Sequence, residues 1–106
     1  MKVDLTDIAV EYALLRRKAF ENLDKNLKAI KERVVNVDSK ADVYLFRSVA
    51  RGENTFSSDI DILIITNLDR RSILAALTDF GSPFEFHIYG RDALDQFKLF
   101  GKLIKI

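Results

Sequence analysis

The chain has 106 residues, which suits a single domain spanning 1–106 that buries roughly 60–70% of its unfolded surface. Hydrophobic residues make up 48% and charged residues 31%, and 17 Lys and Arg face 16 Asp and Glu. The resulting net charge of +1 gives no overall field to draw the protein onto nucleic acid or anionic lipid, so direct nucleic-acid binding is not expected. There is no cysteine, which excludes disulfides and thiolate zinc sites and fits a reducing, cytoplasmic setting. With His87 as the single histidine, a bound metal must be held mainly by oxygen ligands. The longest aliphatic run, Ile62–Ile65, is far short of the roughly 20 residues of a membrane span. Asp4 and Asp7 interrupt the first apolar stretch, unlike a signal peptide.

The first third predicts one long helix. Ile8, Tyr12, Leu15, Ala19, Leu23, Leu27, Ile30 and Val34 recur at steps of three or four and line one face. Thr6 or Asp4 can cap its start, and Asn36 and Asp38-Ser39 break the pattern. A helix of about 28 residues would be roughly 40 Å long, more than so small a core covers. It must therefore bend near Phe20–Asp24 or project toward a partner.

After residue 40 the period changes. Val43–Phe46 predicts a buried strand. In a second strand Ile60, Ile62 and Ile64 share one side, with Asp59, Asp61 and Leu63 on the other. Asp69 can cap a helix from about Arg70 to Phe80, with Gly81 as its stop. Phe84, Phe86 and Ile88 alternate with Glu85, His87 and Tyr89 in a third strand. Arg91 to about Phe100 predicts a last helix, followed by an apolar, basic tail, Leu103–Ile106. This order gives an α+β fold: a small mixed sheet with helices packed on one face.

The chemistry gathers in residues 45–62. Asp59 and Asp61 lie two apart on a strand, so both carboxylates point to one face while the isoleucines point to the core. Adjacent like charges need something positive between them, and Mg²⁺, which prefers carboxylate and phosphate oxygens, fills that need. An isolated Asp-x-Asp is more often a solvated strand face. Glu85 lies on the polar side of the next strand; if the two strands are neighbours, three carboxylates converge. Such a cluster can hold two divalent ions about 3.5–4 Å apart, the arrangement used in phosphoryl transfer. Ser48 ends a strand at a turn, where a hydroxyl and backbone N–H groups suit phosphate oxygens. His87, two residues beyond Glu85 on the same face, is near enough to assist as a base, although a structural histidine is the commoner case. Phe80, Phe84, Phe86, Phe97 and Phe100 are most simply core, while Phe97, Phe100 and the tail could instead form a contact patch.

The segment resembles the minimal nucleotidyltransferases of the DNA polymerase β superfamily, whose signature is Gly-Ser, ten residues, then Asp-x-Asp. Here Ser48 is followed by residues 49–58 and then Asp59-Ile60-Asp61, flanked by Leu45-Phe46, Ala50-Arg51-Gly52 and Ser58. The resemblance implies a polymerase β-like nucleotidyltransferase fold. It also implies that Asp59, Asp61 and Glu85 bind two Mg²⁺ ions, with Glu85 helping to activate the acceptor hydroxyl. Ser48 and neighbouring amides would hold the triphosphate; beside it Arg47, Arg51 and Ser58 are nucleotide-binding candidates, although a basic residue after a tight turn, as Arg51 is, is more often simply solvated. The reaction implied moves a nucleoside monophosphate, AMP in the typical case, from an NTP such as ATP to an acceptor and releases pyrophosphate.

Small members of this kind are commonly paired with an all-helical HEPN-type protein, as the antitoxin half of a toxin–antitoxin system. One departure stands out: the motif Gly is Arg47 here. Its side chain either crowds the triphosphate or swings out to bind the phosphates directly. In the first case the chain would be a binding module of the same fold, acting by contact with a partner or as a homo-oligomer.

Overall fold

Leu27, Ile30 and Val34 recur along helix α1 (Leu23–Val37) and are buried against the sheet. A computed structural model describes residues 9–11, 13–14, 17–18, 21–48, 60–81 and 83–106, with Arg47 and Ser48 as backbone alone. The upstream residues described, from 9 to 21, are also helical, and Asn22 interrupts the run with φ −106° and ψ 25°. Its backbone N–H and its side-chain Nδ2 both donate to the Lys18 carbonyl, at 3.0 and 3.1 Å. The non-helical dihedrals of Asn22 fall inside the Phe20–Asp24 window. The upstream stripe residues Ile8, Tyr12, Leu15 and Ala19 lie outside the described residues.

Asp38 ends α1 in an extended conformation. Its carboxylate accepts the Lys40 N–H (3.0 Å) and the hydroxyl of Thr66, which in turn accepts the Leu68 N–H (3.1 Å). The Thr66 and Lys40 bonds hold the Asp38 carboxyl below the usual carboxylate range, and they fasten the helix end to the end of the second strand.

Strand β1 (Asp42–Ser48) is longer than expected and pairs antiparallel with β2 (Ile60–Ile65), Leu45 opposite Ile62. On the far side of β2 lies β3 (Phe84–Tyr89), parallel, with Ile62 opposite Phe86. The connection between these parallel strands is helix α2 (Arg70–Ala76), as a parallel pair requires. Asp69 caps it by accepting the Ser72 N–H at 3.1 Å. The helix stops at Ala76 rather than Phe80, and bonds from Leu77 to Leu74 and from Phe80 to Leu77 replace helical ones. Two poor helix formers, Thr78 and Asp79, follow. Arg33 of α1 takes up the freed ends, donating to the Ala76 carbonyl (3.4 Å) and pairing with Asp79 (2.8 Å).

A 3₁₀ turn (Arg91–Ala93) leads into α3 (Leu94–Phe100). The apolar, basic tail is not a loose end: Gly101–Lys105 forms β4, antiparallel to β1, and the sheet order is β3-β2-β1-β4. Alternation along five terminal residues with two lysines carries little signal of its own; the pairing with β1 makes it a strand.

Alternation puts Val43, Leu45, Ile60, Ile62 and Ile64 on one face, packed with Leu27, Ile30 and Val34 of α1, Ile73 of α2 and Leu77 just beyond it. On the other face Phe97 of α3 meets Phe46 edge-on at 5.5 Å and Tyr89 at 5.1 Å. Phe97 is thus a packing residue, whereas Phe100 is 68% exposed and no part of the core. No helix among the described residues is long and apolar enough to cross a membrane.

Across the sheet end where β1 begins, Arg91 donates to Asp42 Oδ2 and to the Lys40 carbonyl, both at 2.8 Å, with Lys105 Nζ 3.5 Å from Asp42 Oδ1. The Arg91 bond, helped by Lys105, keeps the Asp42 carboxyl below its usual range. Since the folded pKa lies below the unfolded one, the stabilisation is complete above about pH 4 and is lost as pH falls through the folded value. Asp42→Asn should therefore flatten the loss of stability as pH falls below about 4, read by urea unfolding at each pH. In the core, Ile62→Ala should destabilise by about 2–5 kcal/mol in the same assay at neutral pH.

Candidate active site

The isoleucines that fill the core aim the acids. Because Ile60, Ile62 and Ile64 face α1 and α2, Asp61 is turned to the opposite face. Phe84, Phe86 and Ile88 do the same for Glu85 and His87 on β3. The parallel register then sets Asp61 directly opposite Glu85 and Leu63 opposite His87. The condition that the two acid-bearing strands be neighbours is met.

His87 Nε2 lies 3.1 Å from Asp61 Oδ1 and 4.0 Å from Glu85 Oε1. One ligand-type atom from each of the three residues falls within 4.8 Å of the others. Exposure grades across the group, the side chains being 12% (Asp61), 29% (His87) and 51% (Glu85) accessible. The group is therefore rooted in the sheet and opens toward solvent on the Glu85 side. Two carboxylates and an imidazole at these separations are a donor set that fits a divalent cation.

Strand β1 runs antiparallel to β2 with Phe46 opposite Asp61, so Ser48 ends β1 at the same end of the sheet. The backbone of Arg47 pairs with Lys102 of β4. Asp59, Arg51 and Ser58 lie outside the described residues, as do the side chains of Arg47 and Ser48. Of the expected acids the structure brings Asp61 and Glu85 together, and beside them it sets His87, a residue expected more often to be structural. For His87, the expected neighbour is Glu85; the structure sets its Nε2 closer to Asp61, 26 positions away in the chain. Only the register of β2 against β3 could reveal that contact.

The pattern of the nucleotidyltransferase domain family matches residues 23–105, most of the chain and every described strand. The chain belongs to the nucleotidyltransferase family. It is also similar to the crystal structure of a proposed nucleotidyltransferase from Sulfolobus solfataricus, at 24% identity over 82% of this chain and 84% of that one, with a TM-score of 0.48. No curated protein matches the chain.

Within this nucleotidyltransferase domain, Asp61 and Glu85 set two acids opposite one another across the β2–β3 ladder. Like charges directly across a ladder are destabilising by a few tenths to about 1 kcal/mol. In chelating buffer, Glu85→Gln should raise the stability of the nucleotidyltransferase by about 0.2–1 kcal/mol, read as a higher urea midpoint with an unchanged slope.

Proposed function

We propose that this chain is a divalent-metal-dependent nucleotidyltransferase, using Mg²⁺ on the family pattern. It would move a nucleoside monophosphate, AMP from ATP, onto an acceptor hydroxyl with release of pyrophosphate. The observation that carries the reading is the opposition of Asp61 and Glu85 on neighbouring parallel strands, inside a chain that belongs to the nucleotidyltransferase family. Asp59 and Asp61 would hold two metal ions and, through them, the triphosphate; Glu85 would be the third carboxylate. Bound divalent ions supply Lewis-acid polarisation and neutralise the charge on the phosphates. The protein's own part is orientation: β2 and β3 fix Asp61 and Glu85 on a rigid surface, and partial burial of Asp61 strengthens its field. Glu85, at the open side of the group, is placed to accept the proton of an incoming acceptor hydroxyl at a carboxylate oxygen. Ser48, Arg47, Arg51 and Ser58 would complete the nucleotide site.

The resemblance of Ser48 and Asp59-x-Asp61 to the minimal nucleotidyltransferases supports a further step. The acceptor would be a HEPN-type helical protein, with this chain the antitoxin of the pair. A second reading rests on Arg47 in place of the motif Gly: a binding module of impaired turnover, acting through a partner or a second copy of itself.

Transfer of label from α-labelled ATP to a co-expressed partner tests the first reading. Asp61→Asn should lower transfer by about a hundredfold or more. Metal-dependent NTP binding by calorimetry should likewise vanish in Asp59→Ala/Asp61→Ala. Wild type that neither binds nor transfers any NTP, with Arg47→Gly gaining both, would establish the second reading instead.

A further inference from the structure

We infer that His87 is itself a metal ligand, so that Asp61, Glu85 and His87 form a mixed nitrogen and oxygen site favouring a first-row transition dication such as Mn²⁺ over Mg²⁺. The inference rests on the reading that Asp61 and Glu85 hold the metal, and it changes which metal that is.

The geometry carries it. Two ligands at right angles on an ion about 2.1 Å away lie about 3.0 Å apart, and opposite ones about 4.2 Å. The Nε2–Oδ1 and Nε2–Oε1 separations of 3.1 and 4.0 Å fall within that span. His87 sits in the middle of β3, level with Leu63 of β2, so the sheet ladder holds its backbone where the ligand atom is needed. A neutral imidazole offers one lone pair when its other nitrogen carries the proton. Mg²⁺ is a hard ion that prefers oxygen and keeps its waters, whereas imidazole nitrogen suits the transition dications. A site with a nitrogen donor beside two carboxylates is therefore biased toward Mn²⁺, Fe²⁺ or Co²⁺ at the same carboxylates.

Mn²⁺ serves as the probe, added to the full chain with and without ATP and followed by electron paramagnetic resonance. Bound Mn²⁺ is expected to show ¹⁴N modulation of its electron spin echo, a signature of imidazole coordination. His87→Gln, which retains an amide N–H to meet Asp61, should still bind Mn²⁺ but lose the ¹⁴N signal. Its Mn²⁺-to-Mg²⁺ affinity ratio, from competition titrations, should fall about tenfold or more, within the range that ligand-shell changes produce. Asp61→Asn should abolish Mn²⁺ binding. Mn²⁺ bound to wild type without ¹⁴N modulation in either condition, or an unchanged ratio in His87→Gln, overturns the inference and leaves the functional reading standing. Binding that is absent from wild type, or indifferent to Asp61→Asn, overturns both.

Discussion

The parallel pairing of β2 with β3 is the constraint on which the rest of the molecule depends. It demands a crossover, supplied by α2, and it places two strands of alternating pattern side by side so that their apolar faces coincide. Burial of Ile62 and Ile64, each worth about 1.5–3 kcal/mol relative to exposure, outweighs the few tenths to 1 kcal/mol lost by setting Asp61 opposite Glu85. Hydrophobic registration therefore decides where the acids go, and their mutual repulsion is too small to shift it. A one-residue slip would send Ile60, Ile62 and Ile64 to the wrong face.

The sheet treats carboxylates differently at its two ends. Where β1 begins, Asp42 is met by Arg91 and Lys105, and Asp38 by the Thr66 hydroxyl and a backbone N–H. These are joints: each ties together segments distant in sequence, and the charge is answered by a cation or donor. At the other end Asp61 meets Glu85 across the ladder, with His87 between them. Two carboxylates and an imidazole grouped in this way are a donor set suited to a charged ligand.

The far edge of the sheet shows how strongly context governs a short strand. Residues 101–105 contain two lysines and a glycine beside Leu103 and Ile104, composition that reads as an apolar, basic tail. Antiparallel pairing with β1, and the Ile106 N–H donating to the Val43 carbonyl at 2.9 Å, draw them into the sheet. Lysines on an edge strand also discourage pairing with another chain.

Much was legible in the residues alone. Steps of three and four marked α1, alternation marked β2 and β3, and Asp69 marked the start of α2, because amphipathic period and capping chemistry are local properties. The same alternation placed Asp61 and Glu85 on polar strand faces, and Ser48 with Asp59-x-Asp61 pointed to nucleotidyl transfer. Tertiary structure alone decided that β2 and β3 are neighbours, that Asp61 stands level with Glu85, and that His87 reaches Asp61. It also made the tail a strand and brought Arg33 to donate to the Ala76 carbonyl freed at the end of α2. Those outcomes depend on register and on contacts between residues remote in the chain, and no local period encodes them.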